Sequence, residues 1–180
     1  SEGRDTTVEK RSFSQSELIN CRHYPVFRQV DYLIYRYRFN EYPRRRILHD
    51  FPLVLLIEPT SVCNLRCIMC FQADSALSKN KRFMGFMDFG LYRRLIDEGA
   101  EKGLRAVVLA SRGEPTLHPR FVDMVAYARE RGILDVKINT NATKLTKEYS
   151  RRLLAAGPNT VVFSVDSAQK EDFERIRVGG

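Results

Sequence analysis

No run of apolar residues in this chain approaches the ~20 that a membrane-crossing helix needs. The first residues, Ser1 to Arg11, lack the apolar segment of a secretory signal. There is no internal repeat and no low-complexity tract. Cysteine is scarce, four in 180 residues, and three of the four fall between Cys63 and Cys70. A disulfide scaffold is not built that way. The expectation is a cytoplasmic protein with reduced thiols, in which crowded cysteines serve metal binding or catalysis. What is present is ordinary for a globular protein: 43% hydrophobic and 29% charged residues, enough for one domain with a sizeable core.

The formal net charge is +8, and much of it is local. Residues 22 to 46 hold seven arginines (Arg22, Arg28, Arg36, Arg38, Arg44, Arg45 and Arg46) against Asp31 and Glu41. A basic segment of this kind can meet nucleic acid, anionic lipid or an acidic protein, or it is a solvated face.

Residues 51–180 alternate apolar runs with helical patterns. The runs are Leu53–Ile57, Ala106–Ala110, Leu134–Ile138 and Val161–Val165. Short, largely unbroken runs rich in β-branched residues suit strands buried on both faces. Between them, Asp88 is placed to cap a helix carrying Leu91, Leu95 and Ile96, with Gly103 as its stop. Phe121, Met124, Val125 and Ala128 recur at helical spacing up to Gly132. Thr146 is placed to cap a third helix, closed by Gly157-Pro158, and Ser167 a fourth. Cap, periodic middle and glycine stop are the signals of helix ends. Strand–helix alternation predicts an α/β fold of parallel strands with right-handed crossovers. Polar residues follow each run: Glu58 and the cysteine loop, Ser111-Arg112-Gly113-Glu114, Asn139-Thr140-Asn141, and Asp166-Ser167. They would share the C-terminal rim of the sheet, where parallel α/β folds bind ligands.

Residues 1–50 read as a separate N-terminal basic extension. Ser1 to Ser16 is a polar, poorly ordered start. Val26, Phe27, Val30, Leu33, Ile34 and Tyr37 predict an amphipathic helix over residues 25–39, expected to pack with that face on the α/β body, with a membrane surface or a partner as the other reading.

The cysteine loop runs Cys63-Asn-Leu-Arg-Cys67-Ile-Met-Cys70. Three thiolates on one loop can bind three corners of a cubane cluster, leaving one iron open to a ligand that is not protein. Three other readings stand beside it. One is zinc completed by His or Cys21. The second is an electron-transfer cluster closed by Cys21. The third is inert, buried thiols.

A C-x3-C-x2-C loop just after the first strand resembles the radical S-adenosylmethionine (SAM) superfamily. Arg112-Gly113-Glu114-Pro115 resembles that family's Gly-Gly-Glu-Pro segment, which holds the SAM amino group. Here Arg112 stands in place of the first glycine. Asn139-Thr140-Asn141 resembles the polar segment after strand three. Ser164-Val165-Asp166-Ser167 and Arg175-Ile176-Arg177-Val178-Gly179-Gly180 resemble the strand-four segment of the SPASM-type branch. There a serine and an arginine help hold the SAM carboxylate and ribose. Met69 stands where the family often has an aromatic residue near the adenine, and it suits core packing equally.

The resemblance implies a partial barrel beginning at residue 51. It implies a [4Fe-4S] cluster on Cys63, Cys67 and Cys70. It also implies SAM held by Glu114, Asn139, Asn141, Ser164, Asp166 and Arg177. The activity implied is reductive cleavage of SAM to a 5′-deoxyadenosyl radical. That radical would take hydrogen from a peptide or small-molecule substrate, with nucleic acid a distant third. A one-electron donor such as flavodoxin or ferredoxin is the implied partner. The resemblance also implies six strand–helix units, of which four are visible, so a truncated chain is expected.

Overall fold

The computed structural model describes residues 14–179. The chain forms two compact units, divided between Leu53 and Val54.

The described part of the first unit holds α1 (Gln15–Cys21) and α2 (Val26–Arg44). The polar start expected over residues 1–16 lies mostly outside the described residues. Where it is described, it is ordered by a capping box. Ser14 accepts from the Glu17 backbone, and the Ser14 N–H donates to the Glu17 carboxylate at 2.7 Å. Glu17 is buried and also accepts from Arg36 Nε and Asn40 Nδ2 of α2, at 2.6 and 3.1 Å. Those bonds turn the Arg36 side of α2 toward α1. The helix runs past residue 39 to Arg44, and its buried face differs from the apolar face read from the sequence. Tyr32 and Tyr35 are buried, and Tyr24 stacks on Tyr32 with ring centroids 4.5 Å apart. Val26, Phe27, Val30 and Ile34, expected inside, are exposed. The ion pair and stacked tyrosines, which apolar spacing does not register, fix the rotation of the helix.

The second unit follows the expected alternation: β1 (Val54–Ile57), α3 (Ser75–Ser78), α4 (Phe89–Glu101), β2 (Ala106–Leu109), α5 (Phe121–Glu130), β3 (Asp135–Thr140), α6 (Lys147–Ala155), β4 (Thr160–Phe163) and α7 (Lys170–Ile176). The strands form one parallel sheet in the order β1-β2-β3-β4. Its register puts Leu55, Val107 and Val136 in one row and Ile57, Leu109 and Ile138 in another, two residues further along the strands. Val107, Leu109, Val136 and Ile138 are fully buried, as are Ile96 of α4 and Met124 and Val125 of α5. This is the core. Asp88 and Thr146 cap α4 and α6 through their side chains, as expected.

Three boundaries differ from the sequence reading. Asn139 and Thr140 belong to β3 rather than to a loop beyond it. β4 ends at Phe163, so Val165 lies beyond it. Ser167 does not cap α7. Its hydroxyl accepts from Gln169 N at 3.0 Å in the preceding turn, and Gln169 occupies the cap position without a side-chain bond.

Candidate active site

Every strand ends on the same rim, and the segments beyond the strands enclose a cavity of about 440 Å³. That is within the range of small-molecule sites. Cys63, Cys67, Cys70, Glu114, Asn139, Asn141, Ser164, Asp166 and Arg177 all line it. Sequence reading had scattered these residues over more than a hundred positions. The structure brings every one of them together.

The rim is held by close contacts between neighbouring strand ends. Gly113 is confined by the β1 side. A Cβ there would stand 2.1 Å from Thr60 O and 2.6 Å from Val62 O. Only glycine lets the two segments close, and the next residue, Glu114, donates its N–H to Val62 O at 2.9 Å. Ser111 has φ 115°, a conformation that costs a non-glycine residue about 1–3 kcal/mol. The following residue is clamped. Arg112 donates to Glu58 from its backbone N at 3.0 Å, from Nε at 2.8 Å and from Nη2 at 2.7 Å. Burial alone would raise the Glu58 carboxyl. The bonds from the Arg112 side chain and backbone outweigh burial and hold it below the usual range.

Glu114 is buried at 2% exposure and ties β2 to β3. Its Oε1 accepts from Thr116 N at 3.1 Å, Thr116 Oγ1 at 2.6 Å and Thr140 Oγ1 at 2.7 Å. Among the described residues its Oε2 accepts only from Asn141 N, at 2.7 Å, which leaves room for one further donor. Asn139 is the complementary case. Its Oδ1 is buried with no hydrogen-bond partner, although the residue lines the cavity. A donor on a bound molecule would satisfy it. His118 orients a loop rather than facing the cavity. Its Nε2 faces Met87 O at 2.9 Å and its Nδ1 accepts from Arg120 N at 3.0 Å.

The cysteine loop is gripped by the end of α7. Arg66 N donates to Val178 O at 2.9 Å and Ile68 N to Ile176 O at 3.0 Å. Cys67 thus lies opposite Arg177, whose Nη1 donates to its sulfur at 3.6 Å. Arg177 also pairs with Asp166. Burial pushes the Cys63 thiol up, and the charges of Glu114, Cys67 and Cys70 add to the rise against a bond from Leu65 N.

That donor set suits a cluster better than a single ion. Among the described residues, no three His, Cys, Asp or Glu side chains converge on one ion position. Zinc needs its ligands gathered around one point. A cubane takes each thiolate on its own iron. Cys21 belongs to the first unit, where it is buried and donates to Gln29 O at 3.7 Å. The Glu58–Arg112 clamp, the Thr140 bond and the Ile176–Val178 strap were not found from sequence. Glu58 stood out as a polar residue after the first run, but its partner lies 54 positions away.

Residues 57–180 match the family model of the radical SAM superfamily, and the chain belongs to that superfamily. The cofactors of this class are a [4Fe-4S] cluster and SAM. Among curated proteins, the chain is similar to the tungsten-containing aldehyde ferredoxin oxidoreductase cofactor-modifying protein of Pyrococcus furiosus. The two are 41% identical over 114 residues, covering 62% of this chain and 30% of that protein. It is also similar to the mycofactocin maturase MftC of Mycobacterium tuberculosis, 34% identical over 131 residues, covering 73% of this chain and 32% of that one. The fold is shared with Streptococcus suis SuiB, solved with its precursor peptide SuiA (TM-score 0.60, 21% identity, 83% of this chain and 32% of that one). SuiB has also been solved with SAM (TM-score 0.58, 20% identity, 83% and 32%). The four parallel strands are therefore part of a radical SAM partial barrel. The chain spans about a third of the length of the curated relatives it matches. Among the described residues, no helix is long and apolar enough to cross a membrane.

Proposed function

We propose that this chain is the cluster- and SAM-binding part of a radical SAM enzyme of the SPASM-type branch. In this reading Cys63, Cys67 and Cys70 hold three irons of the cluster, and the fourth is left for SAM. The observation that carries it is the meeting of three free thiols and a polar rim from all four strand ends around one cavity. When bound, the cluster and SAM supply one-electron cleavage to a 5′-deoxyadenosyl radical that removes a hydrogen atom from substrate.

The residues divide that work. Glu114 Oε2 accepts from the SAM ammonium, and its buried position keeps the carboxylate fixed while doing so. Asn139 Oδ1 takes a second donor of the same molecule. Ser164 and Arg177 orient the carboxylate and ribose, with Asp166 holding the guanidinium in place. Asn141 Nδ2 bonds Asn64 Oδ1 at 3.1 Å, joining the loop after β3 to the cysteine loop. Met69 lies against the cavity as an apolar surface for the adenine. The substrate is a peptide or a small molecule. A peptide is favoured by the likeness to SuiB, solved with its precursor peptide. An external one-electron donor such as flavodoxin or ferredoxin completes the cycle.

The test is reconstitution with iron and sulfide without oxygen, then electron paramagnetic resonance of the reduced protein with and without SAM. A four-iron signal that shifts on adding SAM supports the reading. A cluster signal indifferent to SAM makes the protein an electron carrier. One retained zinc per chain, without sulfide, makes it a zinc-binding module.

A further inference from the structure

The three thiols do not share one hydrogen-bonding environment. Cys63 Sγ accepts only neutral donors, Leu65 N at 3.5 Å and Asn141 Nδ2 at 3.9 Å. No described residue donates to Cys70 Sγ. Cys67 Sγ alone faces a charged donor, Arg177 Nη1 at 3.6 Å. Both residues are largely withdrawn from water: Cys67 is 6% exposed and the Arg177 side chain 17%.

That bond is not required to place the loop. The backbone on either side of Cys67 is already fixed by the two bonds from Arg66 and Ile68 into the strap. Nor does it exhaust the guanidinium. Nε is engaged with Asp166 and Nη1 with Cys67, and among the described residues Nη2 donates to no acceptor, so the fork retains donors. A positive charge beside a ligating sulfur withdraws electron density from the metal and favours the more negative, reduced state. The Asp166 carboxylate, paired with the same guanidinium, partly cancels that charge.

We propose that Arg177, restrained by Asp166, is a positioning residue that raises the reduction potential of the cluster through Cys67. The pair would then set how easily an external donor reduces the centre, apart from any contact with SAM. The inference rests on the three cysteines being the cluster ligands, as read above.

The experiment is a redox titration of the reconstituted 180-residue chain without SAM, followed by electron paramagnetic resonance, with iron and sulfide counted in each sample. Arg177→Gln should keep its cluster and show a lower midpoint potential. Arg177→Lys, which keeps the charge but not the fork, should fall between Gln and the unmodified chain. Asp166→Asn should move the midpoint upward. An unchanged midpoint in Arg177→Gln with full iron content overturns the proposal. If that variant loses its iron, Asp166→Asn decides: an upward shift supports the proposal and no shift overturns it. An unmodified chain that takes up no iron and sulfide defeats the ligand reading itself, visibly before any variant is compared.

Discussion

Thr140 donates its hydroxyl to Glu114 Oε1 at 2.7 Å, so the ends of β2 and β3 are joined by a buried carboxylate that also faces the cavity. One group thus serves the fold and the candidate site. Replacing it tests both at once, and the two effects separate by measurement. Glu114→Gln offers an amide N–H₂ where the site presents only donors. It should cost about 2 kcal/mol in thermal or denaturant unfolding. SAM affinity by calorimetry on the reconstituted protein should fall at least tenfold. Normal SAM affinity in a destabilised variant would leave Glu114 a purely structural residue.

Asn139 carries the opposite prediction. Its Oδ1 has no partner to lose, so Asn139→Ala should leave the unfolding midpoint nearly unchanged. The same variant should weaken SAM binding about five- to tenfold, the worth of one hydrogen bond. A variant that binds SAM like the unmodified protein would remove Asn139 from the site.

Gly113→Ala should be among the most damaging small changes in the chain. The new methyl would be driven to 2.1 Å from a backbone oxygen, which no rotamer change relieves. A loss of about 1–3 kcal/mol is expected in chemical denaturation, together with poor cluster retention as the rim opens. Gly103→Ala supplies the comparison, because its Cβ would meet nothing within 4 Å and only its φ of 87° is unfavourable.

The cysteines divide three against one. Cys67→Ala should lose the cluster while the circular dichroism of the fold survives. Cys21→Ser should retain full iron and sulfide, since its sulfur is committed to Gln29 O. Equal losses in both variants would point to a cluster closed by Cys21.

Acid should loosen the first unit by a definable route. Burial raises the Glu17 carboxyl, but bonds from Ser14 N, Asn40 and Arg36 prevail and hold it below the usual range. A carboxyl depressed by folding contributes stability above its unfolded value, about pH 4, and loses it as pH falls through the folded value. Helicity of α1 and α2, followed by proton-exchange NMR, should decline in that acid window. Glu17→Gln should already be weakened at neutral pH and show no such step.

Much of this architecture was legible because it is local. The runs around Val107 and Val136 announced strands, and Asp88 and Thr146 announced helix starts through their own side chains. The cysteine spacing marked the loop, and the polar residues after each run marked the rim. What escaped depends on distant partners or competing local signals. Nothing near Arg112 names Glu58, and nothing near Arg66 names Val178. Ser14 and Glu17 formed a readable capping pair that the polar composition around them obscured. The rotation of α2 is not legible in apolar spacing, which favours Val26, Phe27, Val30 and Ile34. Arg36 and the tyrosines decided it instead.

The strap from Ile176 to Val178 carries a consequence for the order of assembly. The cysteine loop is synthesised well before its strap, because the residue opposite Cys67 lies 110 positions later. A nascent chain shows three unbraced thiols until all four strands and α7 have emerged and packed. If the three cysteines hold the cluster, as proposed, metal offered before that moment would meet a loose ligand set open to oxidation and to the wrong ion. Delivery after it meets a finished seat. On that reading, the closing of residues 176–178 over residues 66–68 marks the moment at which the chain becomes ready to be loaded.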